Sequence, residues 1–463
     1  MMKCVIIATI LLSVTCIDFV ADEFRWPDWP IDYSFKTWSG LIDFNDTGVM
    51  RNLHYVFVES QTENAEVEPQ PVILWLNGGP GCSSMLGLMQ EIGPFVIDNG
   101  ETEYKENPWS WNKKAHLLIL ESPFGVGFSK PSPDKNYNFT DEKTGEFNYQ
   151  AIRRWFDTFT YYRGRDFYIA GESYAGMYIP YTAQALLEGE KNVDEDEKIN
   201  FKGILIGNGV LINNEKFRSQ TALKFLGRRS FIDYTNQFIL SHNCAAQPLS
   251  ASCRQAKKSL DDAIALINPY GVYSYCWGDS TIKEFKVERQ SKHRFSYTPW
   301  LNLFEDDDDN NAPCIDFGPL ANKLNTEIYK QAFHVDNDTL WTGCNDQIYA
   351  QYTKSEGSYL ILPELFKAGI DILLYSGDQD LAVSMVETLE SIKQIPGYKR
   401  IKDWTPYMNQ HPGELQNQLA GWIEEYNYFR FQVIRGAGHM VPQDQRENSW
   451  FMLDNFINRI RGA

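Results

Sequence analysis

The chain has 463 residues, 43% hydrophobic and 14% aromatic, which is enough to bury a large core and too apolar for a disordered segment. Its 61 Asp and Glu outnumber its 43 Lys and Arg, and a net charge of −18 repels nucleic acid and anionic lipid, so no nucleic-acid partner is expected. A carboxylate surplus of this kind loses charge in acid, which suits an acidic compartment.

At the N-terminus Lys3 precedes the short apolar run VIIATILLSVT and Cys16, the pattern of a secretory signal. Residues 1–16 are therefore read as a signal peptide, with the mature chain starting near Ile17. No later stretch offers the ~20 apolar residues of a membrane helix, so no membrane span is expected. Asn45, Asn138 and Asn337 each open an Asn-x-Thr sequon, in keeping with secretory transit and glycosylation. With Cys4 and Cys16 removed, Cys82, Cys244, Cys253, Cys276, Cys314 and Cys344 remain, an even set for disulfides whose pairing the sequence leaves open. None has the close spacing of a zinc site, and no metal is expected.

Short apolar runs then recur as buried strands: VILWL (72–76), LLILE (117–121), FYIA (167–170), GILIG (203–207), ILLYSG (372–377) and FQVIRG (431–436). Helical patterns over 144–160 and 174–188 alternate with them, which predicts an α/β fold with a mostly parallel central sheet flanked by helices. Residues 211–334 break the rhythm and carry four of the mature cysteines, so they are read as an inserted cap between core segments 17–210 and 335–463. Within it the acidic run 305–309 reads as a solvated loop, with proteolytic processing there as the lesser alternative.

The chemistry-bearing signal is FYIAGESYAGMYIP, in which a strand ends, Ser173 sits on a tight turn, and a helix begins at Tyr174. Small neighbours let the backbone turn sharply enough to lift the serine hydroxyl above the sheet, although Ala175 replaces the last glycine of the general Gly-x-Ser-x-Gly elbow. A serine nucleophile needs a base, and of the seven histidines only His439, in GAGHMVP directly after a predicted strand, has a glycine-framed setting from which to reach the serine. ILLYSGDQD supplies the acid at another strand end. Asp378 and Asp380 both qualify, and Asp380 is preferred because Asp378 abuts the glycine turn and is placed to close it.

WLNGGPGCSS (75–84), ESPFGVGFS (121–129), GESYAG, YSGDQD and GAGHMVP occur together and in order. With these motifs the chain resembles the serine carboxypeptidase family, including its lysosomal cathepsin A-like members, from about Trp38 to the C-terminus. The resemblance implies an α/β-hydrolase fold with a disulfide-containing cap. It also implies a serine exopeptidase that removes single residues from peptide C-termini at acidic pH without a cofactor. Ser173, Asp380 and His439 match the family triad, and the N–H groups of Gly79 and Tyr174 its oxyanion hole. Asn77, Gly78, Glu91 and Glu172 match its site for the substrate carboxylate. Met440, beside His439, matches a specificity position at which an apolar residue goes with hydrophobic C-terminal residues. Cys82 with Cys344 matches a family disulfide, and Cys244 with Cys253 and Cys276 with Cys314 look like cap bridges. GNGVLINN (207–214) departs by lacking an acidic residue after GNG. The implied partners are peptide or protein C-termini, a homodimer is left open, and the implied destination is the lysosome, the vacuole or the exterior. An acyltransferase with the same triad, and a non-catalytic protective role, are the alternative readings.

Overall fold

The computed structural model describes residues 22–461 except 47, 63–68, 131–136, 245–249, 265–266, 277–313 and 409–417. The signal segment 1–16 and the acidic run 305–309 lie outside the described residues. In chain order the strands are β1 Glu23–Phe24, β2 Thr37–Asp46, β3 Val49–Val58, β4 Val72–Leu76, β5 Phe95–Val96, β6 Lys105–Glu106 and β7 His116–Leu120. They continue with β8 Phe167–Glu172, β9 Phe201–Gly207, β10 Asp371–Gly377, β11 Arg400–Met408, β12 Leu419–Tyr426 and β13 Arg430–Ile434.

Eleven of these form one sheet in the order β1-β2-β3-β7-β4-β8-β9-β10-β13-β12-β11. From β7 to β13 the pairing is parallel, and antiparallel strands extend both edges. Every residue of β4 is buried, because such a strand is covered on both faces. Ile73 and Trp75 enter one core cluster, whereas Val72, Leu74 and Leu76 enter the other, as a period of two requires.

Helix α1 (Asp141–Thr158) and helix α2 (Ala175–Gly189) cover one face through Phe147, Trp155, Phe156, Met177 and Ile179. Thr140 caps α1 by accepting the Lys143 N–H, and Asp141 and Glu142 sit in the first turn, where the helix dipole favours acid. Helix Arg446–Arg461 covers the other face with Met452, Leu453 and Phe456. Helix α3 (Glu215–Arg228) and helix Ala251–Ile264 build a small core of their own, closed by Leu381 and Val386. Further along, helices Gly318–Leu324 and Glu327–Ala332 pack on the N-terminal segment, where Trp26 stacks on Trp29 at 4.4 Å and Phe333 meets Phe24 and Trp26 edge-on.

Disulfides join Cys82 to Cys344, Cys244 to Cys253 and Cys276 to Cys314. The first is flanked by main-chain bonds from Ser83 to Gly343 and from Asn345 to Gly81, so the loop after β4 is sewn to a segment 262 residues away. Asn45, Asn138 and Asn337 are exposed. Among the described residues no helix is long and apolar enough to cross a membrane.

A buried polar relay binds the N-terminal hairpin to this core. Glu121, fully buried, places Oε2 at 2.8 Å from His54 Nδ1, and His54 Nε2 lies 2.8 Å from Ser39 Oγ. Glu121 also accepts from the Ser83 hydroxyl, the Phe128 N–H and the Trp341 indole, and Ser39 Oγ also reaches the Phe333 carbonyl at 3.3 Å. Removing the histidine leaves the buried Glu121 carboxyl and Ser39 hydroxyl without that partner, so His54→Leu is expected to cost about 1–3 kcal/mol of stability, measurable as a lowered midpoint in urea. A loss within experimental error would show that this joint does not hold the hairpin to the core.

Candidate active site

Parallel register sets the site. Glu172 ends β8 opposite Gly207, Gly207 pairs with Tyr375 of β10, and Gly377 pairs with Ile434 of β13. The loops leaving these strands therefore emerge side by side at the carboxyl edge of the sheet, where open α/β sheets carry their sites.

Ser173 is the first residue past β8 and has φ +63°, a left-handed conformation costly for a residue other than glycine and sustained only where its surroundings over-determine it. They do so here. The Ser173 N–H donates to the Gly207 carbonyl at 3.0 Å, and its carbonyl accepts from Gly176 and Val210, both at 3.0 Å. The loop after β4 presses against this elbow at Gly78, where a Cβ would lie 2.3 Å from the Tyr174 nitrogen, and the next residue, Gly79, has φ +111°. Among the described residues the N–H groups of Gly79 and Tyr174 meet no acceptor.

His439 is 3% exposed, and its Nδ1 lies 2.8 Å from Asp380 Oδ2. Asp380, fully buried, further accepts from the Ala382 N–H, the Val383 N–H and the Asn208 side-chain amide, at 2.8, 3.1 and 2.8 Å. Asp378 instead accepts from the Gly436 N–H at 2.8 Å, closing the turn between β10 and the loop after β13. Among the other described histidines, His54 and His116 are buried in hydrogen-bonded structural positions and His334 bonds the Ser39 carbonyl. His293 and His411 lie outside the described residues.

Beside the elbow the carboxyls of Glu91 and Glu172, 2% and 3% exposed, are in hydrogen-bond contact with each other. Asn77 donates Nδ2 to Glu172 Oε1 at 3.1 Å, and its own Oδ1 is held by the Trp75 indole at 2.8 Å and the Gly87 N–H at 3.1 Å. Oε2 of each glutamate finds no donor among the described residues. Burial pushes Glu91 up to about 8, and burial together with its neighbour pushes Glu172 well above the ordinary carboxyl range. The pair thus holds protons through the acid range and can offer O–H donors to an anion. Met440, half-buried, follows His439 and precedes the short helix Val441–Asp444.

Three contributors to the site escape the sequence patterns. Residues 269–270 slip a carbonyl ladder between the loops of Asp380 and His439: His439 N–H donates to Tyr270 at 2.6 Å, and Leu381 and Ala382 donate to Pro269 at 2.9 and 3.0 Å. Arg218 of α3 grips the Ala382 carbonyl at 2.9 Å and buried Glu387 at 3.1 Å. Asn208, next to the end of β9, is the third; Gly-Asn-Gly is visible in the sequence, but nothing there announces its partner. Among the described residues no group of three or more His, Cys, Asp or Glu is arranged to hold a metal ion.

The family model for serine carboxypeptidases matches residues 27–459. The chain belongs to the serine carboxypeptidase family. It is 34% identical over 445 residues to serine carboxypeptidase-like 26 of Arabidopsis thaliana, covering 94% of this chain and 92% of that protein. It is 30% identical over 457 residues to the lysosomal protective protein of Mus musculus, covering 92% and 91%. Its fold matches the crystal structure of Kex1(delta)p, a prohormone-processing carboxypeptidase from Saccharomyces cerevisiae, with a TM-score of 0.70, 22% identity and 92% coverage of each chain. The chain is accordingly a serine-type hydrolase of peptide bonds on an α/β-hydrolase fold.

Proposed function

We propose that the serine carboxypeptidase releases single, preferentially hydrophobic residues from peptide C-termini at acidic pH through an acyl-enzyme on Ser173. One observation carries the exopeptidase reading: a buried, proton-holding carboxyl pair, Glu91 and Glu172, joined to Asn77 beside the strained serine. Such a pair, with Gly78, suits a terminal carboxylate, which brings a charge but no proton of its own.

In this scheme the Ser173 hydroxyl oxygen attacks the carbonyl carbon of the last peptide bond while His439 Nε2 takes its proton. Asp380 accepts three further N–H donors and so holds the Nδ1 proton of the imidazole, leaving Nε2 as base. The N–H groups of Gly79 and Tyr174 face the oxyanion, and each such donor is worth roughly 2.7–4 kcal/mol in the transition state. When the C–N bond breaks, His439 returns the proton to the departing amine. Water then repeats the sequence on the acyl-enzyme and frees Ser173. Three disulfides and three exposed sequon asparagines support maturation in the secretory pathway.

Ser173→Ala is expected to lose peptidase turnover and labelling by a fluorophosphonate while being secreted normally. Asp380→Asn is expected to lower kcat by orders of magnitude, as in other triads, and Asp378→Asn far less; the opposite ranking would transfer the acid role to Asp378.

The pH dependence has a definite sign. Glu91 charges only as pH climbs toward about 8, and the new charge repels the substrate carboxylate. KM for free peptides is expected to rise over that range, while KM for C-terminal amides stays flat; parallel curves for both would remove the carboxyl pair from the binding site.

Met440 offers polarizable apolar surface and no counter-charge for a desolvated cation. C-terminal Phe, Leu or Met should leave faster than Lys or Arg, and Met440→Glu should shift the ratio toward the basic residues. Faster release of Arg than of Phe by the parent enzyme would contradict this.

A further inference from the structure

We propose that Asn208 is a positioning residue for the hydrolytic reaction, fixing through one turn both the acid that orients His439 and the backbone of the nucleophile. The inference rests on Ser173, Asp380 and His439 being the reacting set.

Asn208 is fully buried and has φ +41°, in the left-handed region that asparagine and aspartate tolerate better than other side chains. Its amide nitrogen donates to Asp380 Oδ2 at 2.8 Å, the same oxygen that meets His439 Nδ1 at 2.8 Å. Its amide oxygen accepts the Gly377 N–H at 3.0 Å, and its own N–H donates to the Tyr375 carbonyl at 2.8 Å. The side chain therefore bridges the end of β10 to the carboxylate three residues further on. Its neighbours on the same turn hold the serine: the Gly207 carbonyl accepts the Ser173 N–H, and the Val210 N–H donates to the Ser173 carbonyl, both at 3.0 Å.

One four-residue turn thus bonds to the nucleophile on one side and to the acid on the other. The Ala382 N–H holds Oδ1 of Asp380, and Oδ2 is shared by the Val383 N–H, Asn208 and His439. Asn208 is the only side chain besides His439 among these donors. Without it the carboxylate loses a donor on the oxygen that must hold the imidazolium in the transition state, so the loss falls on kcat rather than on substrate binding. The hydrogen bond runs to a charged group in a dry site, where such bonds are strong.

Two variants separate the amide from the backbone. Asn208→Gly keeps the left-handed turn and deletes the donor. Asn208→Asp keeps shape and turn but sets a carboxyl against Asp380; both cannot be charged at once without repulsion, and once protonated the new side chain again donates a hydrogen bond. His439, Glu172, Glu387, Asp444 and Tyr270 also feel Asp380 electrostatically. They are unchanged in both variants, so activity relative to the parent enzyme cancels their titration.

The experiment measures kcat and KM for a blocked dipeptide from acid to mildly alkaline pH, with melting curves as the folding control and Asp380→Asn in parallel. Asn208→Gly is expected to lower kcat roughly ten- to hundredfold at every pH with KM within about twofold. Asn208→Asp is expected to approach the parent in acid and to fall away as pH rises. Asp380→Asn impaired while Asn208→Asp tracks the parent, or tracks Asn208→Gly, at a constant ratio over the whole range would overturn the role of Asn208 alone. Near-parental activity of Asp380→Asn would overturn the acid assignment and this inference with it. Should Asn208→Gly not fold, the pH-dependent ratio of Asn208→Asp decides.

Discussion

The parallel register of β8, β9, β10 and β13 is the constraint on which the site depends. Because paired residues near the ends of these strands stand level, four loops distant in sequence leave the sheet within reach of one another. No loop reaches far. Ser173 follows the last residue of β8, Asn208 the last of β9, and Asp380 comes three residues after β10. A shift of one residue in any of these strands would turn its side chains to the opposite face and misplace the loop it carries. The apolar continuity of the central strands, which locks that register, is thus as much a part of the site as the polar residues it displays.

The second theme is how the fold handles buried carboxyls. Asp380 is neutralised by N–H donors and an imidazole, Glu387 by the guanidinium of Arg218, and Glu121 by His54 and neutral donors. Among the described residues Glu91 and Glu172 have neither a cation in direct contact nor a donor for either Oε2, and burial favours their protonated forms. A single functional group thus appears as an imidazole-paired carboxyl, as structural anchors and as a proton-holding pair, so environment rather than residue type separates its states.

What could be read from the sequence follows from where the information is stored. Strands buried on both faces are continuous apolar runs, and all six such runs coincide with β4, β7, β8, β9, β10 and β13 within a residue or two. The elbow was legible because a strand, a glycine and a helix start surround Ser173. The antiparallel edges were not: β11 is mostly exposed and reads RIKDWTPYM, a polar edge strand with no apolar period to notice. Glu91 stood out only through family resemblance, since a glutamate within an apolar stretch gives no local sign of the second glutamate it will meet. The ladder from Pro269 and Tyr270 was invisible because main-chain carbonyls do the bonding, and these are the same in every residue.

Ser39, His54 and Glu121 repeat the order serine, histidine, acid with spacings of 2.8 Å, yet Ser39 lies within β2, buried in the sheet rather than on a turn at a strand end. Its consequence is mechanical rather than chemical. Ser39 Oγ stands within reach of both His54 Nε2 and the Phe333 carbonyl, at 2.8 and 3.3 Å, so one hydroxyl ties β2 to β3 and to the end of helix Glu327–Ala332. The seam between the N-terminal hairpin and the rest of the molecule is thus one polar chain running from β2 through β3 to the end of β7, and loosening any of its three side chains is felt by the strands on either side.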